Sequence, residues 1–144
     1  MLHKITAAAP LPGLHLLVHF SSGEAREYDL STLPERFPAF SALQTVPGLF
    51  ELVRVDADGY GVSWNDDLDL SAEELYNHGV PVSTPFDQLI SFADATELWG
   101  LSESALRKAV AYRRLVDGVD VKKYGKQWLI TRDAMEREYG QPRT

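Results

Sequence analysis

The sequence predicts an α+β chain in two parts: a small domain of short strands and helix over residues 1–80, then a mainly helical domain over 86–140, with 81–85 as linker. Three observations predict this. The spacing of apolar residues changes from a period of two to a period near 3.6 along the chain. Between the halves, VPVSTP (Val80–Pro85) has two prolines and no amphipathic period. The charge is also split: residues 1–82 hold 4 Lys/Arg and 12 Asp/Glu, whereas residues 83–144 hold 10 and 9. The net charge of −7 hides this division. No basic residue lies between Arg54 and Arg107, a stretch with 11 acids, while 8 basic residues from Arg107 to Arg132 meet only Asp117 and Asp120. Such a split fits two parts with separate partners.

In the first part, Leu14–Phe20 alternates, with Leu14, Leu16, Val18 and Phe20 on one face, and turns through Ser-Ser-Gly-Glu into Ala25–Leu30. That is a hairpin with a glycine in its loop. Pro34 and Pro38 interrupt the next stretch, where PAFSAL predicts one or two helical turns. Phe50–Val55 and Tyr60–Trp64 predict a second hairpin around Asp58-Gly59. Ser71 and Glu74 have the spacing of a capping box, and Gly79 sits where a C′ glycine ends a helix.

In the second part, Leu89, Phe92, Ala95 and Leu98/Trp99 fall at helical spacing, with either one helix or a fresh start at Ser91. Gly100 ends it, and Ser102 is a good N-cap for SALRKAVAYRRLV, with Leu106, Ala109, Val110 and Leu115 inward. VDVKKYGKQWLI then predicts two strands turning at Tyr124-Gly125, and Thr131 caps a last helix closed by Gly140. Helix, glycine turn, helix, hairpin, helix is the order of a winged helix-turn-helix domain. Ser104, Arg107, Lys108, Ala111 and Arg114 fall away from the apolar stripe, as on a helix offered to a major groove. Lys122, Lys123 and Lys126 flank the hairpin tip, where a wing meets phosphates. The competing reading of Arg107, Lys108, Arg113 and Arg114 is solvated helix charge, paired with Glu103 and Asp117. Trp128 is expected in the core as the anchor of the return strand.

DATELWGLSESALRKAV and KKYGKQWLITRDAM resemble the excisionase and MerR type of winged helix-turn-helix over about residues 91–136. Asp94, Ala95, Leu98, Gly100, Leu101 and Ser102 match the opening pattern, and Gly125, Trp128 and Ile130 the return strand. Thr96 replaces a second alanine, and Trp99 is inserted before the glycine. The first part resembles a widespread bacterial family of small α+β domains, through VHFSSGEAREYDL, FELVRV and GVSWNDDLDLSAEELYNHG. Members often lie beside small toxin-like proteins or carry a helix-turn-helix. The resemblance therefore implies an antitoxin-like or self-regulating role, and it assigns no chemistry to any residue.

Other classes find little support. There is no Cys, so disulfides, thiolate metal sites and cysteine nucleophiles are excluded. His15 and His19 share a strand face but stand about 13 Å apart at roughly 3.3 Å per residue, too far to chelate one ion. The Asp-rich stretches 56–59 and 65–69 lack the closing Glu of a calcium loop. No phosphate loop, nucleophile elbow or H-E-x-x-H occurs, so no enzyme activity and no cofactor are expected. No apolar run approaches the roughly 18 residues of a membrane span, and MLHKITAAAPLPG lacks a signal-peptide core.

The expectation is a cytoplasmic DNA-binding regulator. Its acidic part, with Asp66, Asp67, Asp69, Glu73 and Glu74 toward a basic partner, is assigned to a co-encoded toxin or to homodimerisation. The alternative is a protein-interaction module that does not bind DNA.

Overall fold

A computed structural model describes residues 2–143, which divide into two compact units, one over Leu2–Phe20 and Glu24–Thr84, the other from Pro85 onward together with Ser21–Gly23. In the first, β1 (Ile5–Leu11), β2 (His15–Phe20), β3 (Ala25–Asp29) and β7 (Val80–Val82) form an antiparallel sheet in the order β1-β2-β3-β7. A second sheet joins β4 (Arg54–Val55), β5 (Gly61–Asn65) and β6 (Leu68–Ser71) in sequence order. The alternation of β2 has its expected result: Leu16, Val18 and Phe20 are buried. They share one core with Tyr28, Leu30, Phe40, Val62, Trp64, Leu68 and Leu75, and each large aliphatic side chain so buried stabilises by roughly 1.5–3 kcal/mol.

Several expectations change here. Val80–Val82, inside and beside the stretch read as linker, is a strand, pairing Val82 with Ala25 and Val80 with Glu27. Edge position makes this permissible for Pro81, which has no N–H to donate. Phe50–Leu52, read as the start of a strand, is a 3₁₀ turn whose Phe50 carbonyl accepts the Trp64 indole N–H at 3.0 Å. Only Arg54–Val55 pairs with β5. The helical turns of PAFSAL are present as 3₁₀ Pro38–Ser41 and α1 (Ala42–Thr45).

α2 (Ala72–His78) starts as expected, with the Ser71 hydroxyl accepting the Glu74 N–H. Its end differs. Gly79 lies at φ −78, not in the left-handed region. The glycine is required instead by crowding, since a Cβ there would strike the Leu75 carbonyl oxygen and the Arg26 side chain.

The second unit contains α3 (Phe92–Trp99), α4 (Glu103–Ala111) and α5 (Arg132–Tyr139), accompanied by an antiparallel sheet of β8 (Leu89–Ser91), β10 (Gln127–Thr131) and β9 (Val121–Tyr124). Leu89, expected at helical spacing, instead pairs with Thr131 in the sheet, and of the two alternatives the helix takes the fresh start, with Ser91 as N-cap. Ile90, Phe92, Ala95, Trp99, Leu106, Ala109, Leu115, Val121, Ile130, Ala134 and Met135 make a separate core. Trp128 is half-buried and stacks on Phe92, with ring centroids 5.7 Å apart.

Candidate nucleic-acid interface

The turn between α3 and α4 is built by three residues. Gly100 takes φ 67 and ψ 38, the left-handed conformation that costs a glycine nothing. The N–H groups of Gly100 and Leu101 then both reach back to the Thr96 carbonyl, satisfying the helix end. Leu101 packs half-buried against the core, and Ser102, extended, caps α4 by accepting the Ala105 N–H at 3.1 Å. Leu106 and Ala109 are buried beneath α4, which leaves Ser104, Arg107, Lys108 and Ala111 exposed on the other side.

These exposed residues are not equivalent. Arg107 donates to Glu103 one turn earlier, at 2.8 Å. Lys108 forms no ion pair among the described residues. The Ser104 hydroxyl lies 3.2 Å from that of the cap, Ser102.

α4 is shorter than its apolar pattern predicts. It stops at Ala111, and the chain reverses through Arg113 at φ 61. The Arg113 N–H donates to Val110 and the Arg114 N–H to Ala109, the paired bonds of a Schellman ending. A non-glycine residue pays about 1–2 kcal/mol in this conformation. Leu115 still reaches the core, but from the loop beyond the helix. Arg114, placed by the sequence reading on the exposed face of α4, is therefore off that helix. Its Nε donates to Glu138 on α5 at 3.3 Å.

The hairpin turns at Gly125-Lys126, one residue later than expected, with Gln127 facing Tyr124 across the ladder. Gly125 supplies the positive φ, 61°, at the first loop position. Because side chains alternate along a strand, Lys122 and Lys123 project from opposite faces of the ribbon. Lys122 shares its face with Tyr124, its ammonium 5.7 Å from the ring centroid, and Lys123 lies opposite Trp128. Lys126 is at the tip. All three are exposed, and none forms an ion pair among the described residues.

The loop between α4 and β9 is fixed by charge. Buried Asp120 accepts two bonds from Arg137, at 3.1 and 2.9 Å, and the Val116 N–H at 2.9 Å. The Arg137 guanidinium, helped by that N–H, holds the Asp120 carboxyl below the usual range against the opposing effect of burial. Glu138 is likewise lowered by Arg137 and Arg114.

In the first unit the acidic candidates separate. Asp66 and Asp67 are exposed at the β5–β6 turn and Asp69 on the adjoining strand β6; at the turn the Asn65 carboxamide oxygen accepts the N–H groups of Asp67 and Leu68, each at 2.9 Å. Glu73 and Glu74 are engaged internally. Glu73 accepts the His3 N–H and lies 3.0 Å from its ring nitrogen. Burial opposes ionisation of Glu73, but the His3 contacts outweigh it and lower its pKa. Glu74 accepts the Tyr28 hydroxyl at 2.8 Å and lies 3.2 Å from His78. Desolvation, with Glu74 as acceptor, raises the Tyr28 phenol well above its ordinary value. His15 lies 3.5 Å from Glu27 and 3.7 Å from Asp29.

Two helices joined by a three-residue glycine turn, with the second exposing a polar face, define a helix-turn-helix domain, and residues 82–144 match the family described as "Helix-turn-helix domain". Residues 5–81 match "Protein of unknown function (DUF2442)", and the chain belongs to that family. No curated protein and no solved structure matches the chain. No helix among the described residues is long and apolar enough to cross a membrane.

Proposed function

We propose that this chain is a DNA-binding regulator, not an enzyme, whose C-terminal unit works as a winged helix-turn-helix of the excisionase and MerR type. The observation that carries the reading is the run of exposed cations without a carboxylate partner among the described residues: Lys108 on α4, and Lys122, Lys123 and Lys126 on the hairpin. α4 enters the major groove with Ser104, Arg107 and Lys108 toward the base edges. The hairpin carries a lysine on each face and one at its tip, which fits a wing between the phosphates of two strands. Arg114 lies beyond the end of α4, with its Nε donating to Glu138, and is not placed among the base-facing residues.

A salt titration of the full chain on duplex DNA tests this. Three phosphates neutralised by the hairpin lysines of each protomer predict a slope of log affinity against log salt of roughly −2 to −3. Salt-independent binding, or none at low salt, rejects it. The pairing of Arg107 with Glu103 favours a second reading, a protein-interaction module that does not bind DNA, and the same titration separates the two.

The finer role is that of a cytoplasmic, homodimeric antitoxin that represses its own promoter. Asp66 and Asp67 on an exposed turn, with exposed Asp69 on the strand that follows it, supply an acidic surface for a basic co-encoded toxin. Charge reversal at these three positions slows association with the neighbouring gene's product at low salt. An unchanged rate rejects that assignment.

A further inference from the structure

Two independent features coincide at Arg113, which shares a positive φ with the non-glycine residues Leu14 and Gln88 but alone combines it with an unpaired cation. Its backbone takes φ 61, although it is not glycine, whereas the chain beyond α3 and α5 passes through Gly100 and Gly140 at φ 67 and 78. Its guanidinium also closes on no carboxylate among the described residues, as is true of Arg36, Arg54 and Arg143, while the other arginines of the helices and their connections in this unit, Arg107, Arg114, Arg132 and Arg137, do so at 2.8, 3.3, 3.0 and 2.9 Å. The left-handed turn lets the Arg113 and Arg114 N–H groups close the end of α4, a task a glycine would perform without strain, and the long cation itself gains no ion pair inside the fold among the described residues. Strain of this kind is retained where a ligand uses the residue.

The location gives the class of ligand. Ser104, Lys108 and Tyr112 follow one another at intervals of four along the exposed side of α4, and Arg113 comes directly after them. When the first turn of such a helix faces the base edges, its far end passes the backbone at the groove rim. A planar guanidinium there can hold two oxygens of one phosphate.

We propose that Arg113 is a phosphate-binding residue for duplex DNA, set at the far end of α4 by its left-handed turn. The inference rests on the DNA-binding reading above and adds a contact that the apolar pattern of the sequence conceals. Glycine at 113 relieves the backbone and deletes the contact, so stability and affinity move in opposite directions. Lysine keeps the charge and the strain.

The test compares the full-length wild type, Arg113→Gly and Arg113→Lys on a mixed-sequence duplex, by salt titration and thermal melting. For Arg113→Gly the melting temperature rises, affinity near 0.1 M salt falls roughly five- to tenfold, and the salt slope becomes shallower by about 0.9. Arg113→Lys keeps the wild-type slope. A wild type that binds, beside an Arg113→Gly variant with unchanged affinity and slope, overturns this inference and leaves the DNA-binding reading standing. A lower melting temperature for Arg113→Gly overturns the strain argument on which it depends. A wild type with no salt-dependent duplex binding overturns both.

Discussion

Arg137 of α5 closes on buried Asp120 through two guanidinium nitrogens, at 3.1 and 2.9 Å, and the same carboxylate accepts the Val116 N–H. One side chain therefore ties the last helix to the loop that leads from the proposed reading helix into the hairpin. Replacing Asp120 by Ala removes three hydrogen bonds to a buried charged acceptor and is expected to cost about 2–3 kcal/mol, read by chemical denaturation. The pH dependence has a definite sign. The folded-state pKa of Asp120 is depressed, so its contribution is complete above the unfolded value of about 4 and is lost as pH falls through the folded value. Asp120→Asn should therefore lose less stability than wild type below about pH 4.

Glu103 holds Arg107 at 2.8 Å and so withdraws one cation from any anion that approaches α4. Glu103→Gln releases it. Affinity for mixed-sequence duplex is expected to rise, with a salt slope steeper by up to about 0.9. Lys108→Ala changes affinity in the opposite direction. Equal responses to the two substitutions would show that this face of α4 does not meet DNA.

Gly79→Ala distinguishes crowding from backbone conformation. At φ −78 an alanine is conformationally acceptable and on that ground would stabilise the chain slightly. The Leu75 carbonyl and Arg26 side chain occupy the space of its Cβ, however. A loss of about 1–3 kcal/mol in equilibrium unfolding is expected.

Tyr28 is buried, with its hydroxyl donated to Glu74. Tyr28→Phe keeps the ring packing and removes that single donor, so unfolding free energy should fall by about 1–1.5 kcal/mol. A larger loss would indicate that the hydroxyl also orients α2.

Much of this protein was legible in its sequence because the signals are local. Gly100, Ser102, Thr131 and Ser71 act through their own turn of backbone, so the helix-turn-helix and the starts of α2, α4 and α5 follow from residue type and spacing. The alternation in β2 and the charge split are likewise properties of contiguous residues. Tertiary structure decided what depends on residues distant in sequence. Val80–Val82 is a strand only because β3 offers an edge, and Leu89–Ser91 only because β10 does. α4 ends at Ala111 although its apolar pattern runs on to Leu115, since Leu115 is buried just as well from a loop. Whether a charge faces outward unpartnered is also decided there. Arg107, Lys108, Arg113 and Arg114 are all cations in the sequence and all exposed in the structure, and only the positions of Glu103 and Glu138 separate the paired ones from the unpaired, because ion pairing depends on distance in space.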